Sequence, residues 1–448
     1  MVAAGRFAPG HLGELTQLVP FEMVDDALER TGAVQARVRL LPSRVVVYLL
    51  LAGCLFTELG YVQVWHRLTA ALHGMAVASP TASALRQARQ RLGAAPLRAL
   101  FDLLRGPAVT AAWQAVSWRG LLVCALDGTL MSVADSAANL TTMDKQRCNH
   151  GTGGYPQVRL LALVACGTRS VIDAVFGPAS TGEPGYAARL AGSLRSGMLL
   201  LADRNFAAAD LLPRLTSAGA DLLVRCKNGR RLPVRARYRD GSYLSQIGTL
   251  PVRVIDAQIT IATSAGRRTG TYRLITTLLD PHRYPAAELI TLYHQRWEIE
   301  TAYLELKSTI LGGRVLRART PAGIDQEIYA LLVTYQLLRT AMTDATDSIA
   351  GIDPDRASFT VALHTARDQV VQAAGIIADT AVDLVGAIGR QILTALLPER
   401  RPRTKARIVK RAISKYNARG PNIDRRTYQA TIEIDILTST GHTPTTPN

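Results

Sequence analysis

Between residues 120 and 226 five short apolar runs follow one another: GLLVCALDG (120–128), PQVRLLALVACG (156–167), RSVIDAVFG (169–177), GMLLLADRNF (197–206) and ADLLVRC (220–226). Each is bounded by glycine, proline or polar turns, the pattern of strands in a buried sheet. Helical periodicity falls between some of them, near 186–194 and 207–218, so an α/β domain is expected. Two of the runs end in an aspartate, Asp127 and Asp203. The carboxyl ends of strands are where α/β sheets place their chemistry.

A chain of 448 residues is too long for one ordinary core, and two to four domains are expected. The segment up to residue 119 reads as helical, with a long periodic stretch over 43–72 and two shorter helices in SPTASALRQARQRLGAAPLRALFDLL. Arg86 and Arg89, three apart on one of these, suit a small DNA-binding module. The expected division is 1–119, an N-terminal helical DNA-binding domain; 120–345, an α/β domain with a β insertion at about 227–277; and 346–448, a C-terminal helical region and basic tail.

The longest apolar run, Val45 to Phe56, falls short of the roughly 20 residues that span a bilayer, and MVAAGRFAPGHLGEL lacks the pattern of a signal peptide. A cytoplasmic, nucleoid-associated protein with no membrane role is expected. The cysteine count is odd, with no CxxC pattern, and Cys148 with His150 lacks the second pair that a zinc site needs. The formal charge of +17 points to a polyanionic partner. Seven basic residues and no acid lie between Arg225 and Arg239, where Arg235, Arg237 and Arg239 would share one face of a strand. Nine basic residues lie between Glu399 and Arg419. Together these favour nucleic acid.

The stretch YHQRWEIETAYLELK (293–307) places Tyr293, Arg296, Glu300 and Lys307 within about 60° of one another on a uniform α-helix. Leu292, Ile299, Tyr303, Leu306 and Ile310 fall on an adjoining arc that would pack on the sheet. An exposed Arg296–Glu300 pair alone would contribute only about 0.3–0.5 kcal/mol. With Asp127 and Asp203, however, Glu300 completes a set of three carboxylates able to hold two Mg²⁺ ions. Arg296 and Lys307 would then bind phosphates beside them, with Tyr293 as a further donor. The DGT after the first strand also fits haloacid-dehalogenase-type phosphatases, but Ala125 stands where their nucleophilic aspartate is required.

The spacing Y-x2-R-x3-E-x6-K is met in full, and with ALDGT, DSAAN (135–139), ADRNF and GHLGELTQLVPFEMVDDALERTG the chain resembles the DDE transposases of the insertion-sequence-4 family over roughly residues 10–345. The resemblance implies a ribonuclease-H-like catalytic domain with a β-rich insertion, flanked by helical regions. It implies cut-and-paste transposition at terminal inverted repeats, with Asp127, Asp203 and Glu300 as the catalytic, metal-binding triad. Two Mg²⁺ ions, replaceable by Mn²⁺, double-stranded DNA at the repeats and target, and a homodimer in the synaptic complex come with it. An inactive DNA-binding derivative and a nuclease without strand transfer are the competing functions. Relatives stack a flipped base on a tryptophan of the insertion. Here no tryptophan lies between Trp118 and Trp297, and Tyr272 takes the matching position.

Overall fold

The computed structural model describes residues 10–37, 39–72, 75–107, 117–148, 151–373, 385–398, 403–405 and 427–437. Cys148 and His150 as a pair, and most of the basic run after Glu399, lie outside the described residues. The chain divides into two compact units, one of residues 1–198 with 296–397 and one of 199–295 with 398–448.

In the first unit the opening helices are Phe21–Arg30, Ser43–Leu55, Tyr61–Thr69, Ala82–Leu92 and Ala95–Leu104. The single helix expected over 43–72 is broken at Phe56, whose backbone leaves the helical region, and the chain restarts after Gly60. Thr57 is held there by its hydroxyl, which donates to the Ile310 carbonyl at 2.7 Å. Every residue of Ser43–Leu55 except Arg44 is buried, as a helix apolar on all sides must be. It packs against Pro321–Asp347, a 27-residue helix that also carries Ala95–Leu104, Phe359–Val371 and Gly386–Thr394. No helix among the described residues is long and apolar enough to cross a membrane.

The strands of this unit are β1 (Ser117–Trp118), β2 (Leu121–Ser132), β3 (Lys145–Cys148), β4 (Gly151–Ala165) and β5 (Val171–Pro178). β4 lies between β2 and β5, antiparallel to both, and β3 folds back on its first half. The first strand runs past the expected end: Asp127 stands in the middle of β2, opposite Ala162, and not at its terminus. GTLMS continues the ladder because only Gly128 interrupts residues that suit a strand.

The second unit holds β6 (Met198–Ala202), β7 (Asp221–Cys226), β8 (Ala236–Arg237), β9 (Tyr243–Ile247), β10 (Leu250–Thr263) and β11 (Gly266–Thr276), followed by β12 (Arg403–Lys405), β13 (Thr427–Gln429) and β14 (Thr431–Ile436). β6 and β7 are parallel, while β7, β11, β10, β9 and β8 pair in that order as antiparallel neighbours. Arg235, Arg237 and Arg239 are all exposed, but they do not share a strand face. Only Arg237 lies in β8, since the Tyr238–Ser242 turn already takes up Arg239. β14 pairs with β10, so the C-terminal part is not helical throughout. Its TIEIDI alternates β-branched and acidic residues, which is a strand period.

The expected uniform helix at 285–310 is a series of four pieces: α-helix Ala286–Tyr293, a 3₁₀ turn His294–Arg296, α-helix Trp297–Leu304 and a π-helical turn Glu305–Ile310. The apolar arc is buried as expected at Leu292, Ile299, Tyr303, Leu306 and Ile310. The angular argument for the polar stripe does not carry over unchanged, because 3₁₀ and π turns advance by different angles per residue.

Candidate active site

In the first unit Asp127, Arg296, Glu300 and Lys307 are brought together over β2. The Arg296 guanidinium spans two carboxylates, with Nη1 3.3 Å from Asp127 Oδ2 and Nη2 3.1 Å from Glu300 Oε1. Its side chain is only 12% exposed, so this is no solvated surface pair. Asp127 Oδ1 also accepts its neighbour's amide, Gly128 N–H, at 2.8 Å. Lys307 Nζ donates to Thr129 Oγ1 at 3.2 Å, two residues along the strand from Asp127. The four-residue spacing of Arg296 and Glu300 is thus used, with a third partner from the sheet.

Tyr303 fixes the glutamate helix to the sheet. Its buried hydroxyl donates to the Asp127 carbonyl oxygen at 2.5 Å and accepts from the Ala162 amide at 3.0 Å. Burial first, and then the negative charge of Asp127, hold the phenol well above its ordinary pKa, so it stays a donor. The sequence pattern placed Tyr303 in the apolar arc and gave no sign of this second duty. Gly128 also has a local reason: an added Cβ would meet Glu183 Oε1 at 2.7 Å, where Glu183 is paired with Arg159 of β4 at 2.8 Å. Gly128→Ala is expected to cost about 1–3 kcal/mol, as overpacking does. A thermal melt unchanged from wild type would show that Glu183 swings aside freely.

In the second unit Asp203 follows β6 directly and caps the turn Arg204–Phe206, its Oδ1 accepting the Asn205 amide at 2.7 Å. Tyr293 donates its hydroxyl to the carbonyl of Ala202, the residue before Asp203, at 3.0 Å. Tyr272 is half-buried in β11, with the Arg225 guanidinium 4.1 Å from its ring centre. In the N-terminal helices Arg86 is exposed, whereas Arg89 turns inward and lies 3.9 Å over the Tyr61 ring.

Two family models match the chain: "Insertion element 4 transposase N-terminal" over residues 9–102 and "Transposase DDE domain" over residues 118–337. The chain is 26% identical over 412 residues to the transposase InsG of insertion sequence element IS4 from Escherichia coli K12, covering 88% of this chain and 91% of that protein. It is 29% identical over 222 residues to the putative transposase InsZ of the same organism, covering 47% of this chain and 70% of that one. A piggyBac transposase synaptic complex with hairpin DNA, solved by cryo-EM, aligns at TM-score 0.43 and 10% identity over 87% of this chain and 85% of its own, too distant to carry an argument. The catalytic part is a transposase DDE domain, the α/β, ribonuclease-H-like class that cleaves and transfers DNA strands. The chain belongs to the insertion-sequence-4 family of DDE transposases.

The family implies use of a divalent metal. Asp127 and Glu300 suit one: their oxygens are hard donors, and both already face a single cationic group, the Arg296 guanidinium. Among the described residues no three His, Cys, Asp or Glu side chains gather as a ready-made metal site.

Proposed function

We propose that this transposase cuts and joins double-stranded DNA at the terminal inverted repeats of an insertion sequence, with Asp127, Asp203 and Glu300 as ligands of two Mg²⁺ ions that Mn²⁺ can replace. The observation that carries the reading is the convergence of Asp127 and Glu300 on one cation, Arg296. Asp203 enters by its matching position in the family. Bound Mg²⁺ would activate the attacking oxygen and stabilise the leaving one.

Around that chemistry the protein's own groups bind and orient the DNA. Arg296 and Lys307 take phosphate oxygens, Tyr293 orients the chain beside Asp203, and Tyr303 keeps Asp127 and the glutamate helix in register. Arg235, Arg237 and Arg239 add sequence-independent phosphate contacts. Tyr272 offers a face for a flipped base once Arg225 gives way. The helical segment 1–119 binds the repeat, and the protein works as a homodimer that pairs two ends.

The test is a labelled duplex carrying the inverted repeat that flanks the gene, incubated with Mg²⁺, Mn²⁺ or EDTA. Expected are a nick at the repeat terminus with either ion, none in EDTA, and joined products when target DNA is added. Binding without cleavage in either ion would favour an inactive DNA-binding derivative. Cleavage without joined products would favour a nuclease.

A further inference from the structure

The helix that carries Glu300 is held from behind by a buried guanidinium. Arg169 is 2% exposed and lies in the turn between β4 and β5, in the left-handed region at φ 55°, which costs a non-glycine residue free energy. Its Nε donates to Glu298 Oε2 at 2.5 Å, its Nη1 lies 3.3 Å from Glu305 Oε1, and its Nη2 pairs with Asp355. Glu305 is pinned again by Arg339, and the Tyr335 hydroxyl lies 3.1 Å from Glu305 Oε2. That hydroxyl is also 3.0 Å from the Arg169 carbonyl oxygen, so the backbone of the turn is held along with its side chain.

Within the α-helix Trp297–Leu304, Glu300 points about 160° away from Glu298, and Glu305, the first residue of the π turn that follows, meets the same guanidinium as Glu298. One guanidinium therefore grips the segment at two points, Glu298 near the start of Trp297–Leu304 and Glu305 just past its end, with Glu298 on the face opposite Glu300. Gripping two points fixes rotation about the helix axis as well as position along it. Rotation is the coordinate that decides how far Glu300 stands from Asp127. A buried ionic cluster of this kind is seldom more stable than apolar packing of the same volume, so its use here calls for a reason other than stability.

We infer that Arg169 is a positioning residue for the reaction, setting the rotation of the Glu300 helix so that Glu300 and Asp127 present their oxygens together. The inference rests on the reading of Glu300 as a metal ligand. Its mechanism is indirect: Arg169 acts on the position of Glu300 through Glu298 and Glu305.

The experiment compares wild type with Arg169→Lys, which keeps the charge but cannot bridge three carboxylates at once. Measured are the thermal melt, affinity for the labelled repeat, single-turnover cleavage against Mg²⁺ concentration, and Mn²⁺ binding by calorimetry without DNA. Expected are a folded protein with unchanged DNA affinity, cleavage down about 10–100-fold, and a raised Mg²⁺ requirement with Mn²⁺ bound about 10-fold more weakly, as for lost outer partners of metal ligands. Mn²⁺, less strict in geometry, should restore part of the rate. Wild-type cleavage and metal requirement in Arg169→Lys would overturn the inference. If that variant does not fold, Glu298→Gln decides by the same measurements. Failure of wild type to cleave in any metal would instead remove the metal reading of Glu300.

Discussion

Glu300→Gln is expected to bind the inverted repeat at close to wild-type strength and to cut it at least about a thousandfold more slowly. Affinity is set by Lys and Arg on phosphates, and the change leaves all of these in place. Glutamine also keeps an oxygen for Arg296 to hold at the position now 3.1 Å from it, so the local packing persists. Under the proposed metal role of Glu300, what is removed is one negative ligand from a site asked to supply several kcal/mol to the transition state, and each 1.36 kcal/mol is tenfold in rate. Gel-shift titration and single-turnover cleavage separate the two quantities. Nicking by the variant at the wild-type rate would take Glu300 out of the metal site and leave it as the salt-bridge partner of Arg296.

The second large effect is expected in the β insertion. Arg253 of β10 is fully buried and spends its guanidinium on Ser242 Oγ at 2.7 Å, the Tyr284 carbonyl at 2.6 Å and the carboxylate of Asp240. Asp240 also accepts the Ala286 amide at 3.1 Å, at the start of the helix Ala286–Tyr293. Asp240→Ala leaves a buried cation without its counter-charge, and a loss of about 3–5 kcal/mol follows from the cost of breaking such a pair. Urea denaturation followed through the insertion reads it, and a loss below about 1 kcal/mol would show that water reaches Arg253.

The same contact has an acid signature. Burial works to raise the Asp240 pKa, but the Ser242 hydrogen bonds and the Arg253 charge outweigh it, and the carboxyl sits below its ordinary value. A depressed folded pKa gives stability that is full above the unfolded value of about 3.9 and is lost as pH falls through the lower folded one. Asp240→Asn should lack that part of the acid limb.

How much could be read in the sequence differs by element. The apolar runs located β2, β4, β5, β6 and β7, because burial on two faces leaves a continuous apolar signature whatever the tertiary setting. The end of β2 is hidden in the sequence because DGT has the composition of a turn, and only pairing with β4 shows that the strand continues through it. The signature residues from Tyr293 to Lys307 were visible by spacing, yet the 3₁₀ and π turns among them were not. Those depend on what the helix meets, such as Tyr303 against Asp127 and Glu305 against Arg169 and Arg339. Arg169, Glu298, Glu305, Arg339 and Asp355 are scattered along the chain and each passes for an ordinary surface charge. That Arg169, Glu305 and Arg339 are buried together, with Glu298 and Asp355 half-buried against them, is a property of the fold alone.

The pairing of β14 with β10 bears on how the protein is made. Strands joined in space from distant parts of a sequence close slowly, because the intervening chain must be ordered first. β10 is synthesised long before its partner at Thr431–Ile436 leaves the ribosome, and from Ala257 to Ala262 the edge that β14 covers waits open until then. The first unit has the same character, since its β-strands and the helix Pro321–Asp347 are separated by the whole insertion. Neither half can be finished during early translation. A nascent chain therefore passes through a stage with an unsatisfied sheet edge and a high positive charge, in which capture by chaperones or nearby nucleic acid competes with completion of the fold.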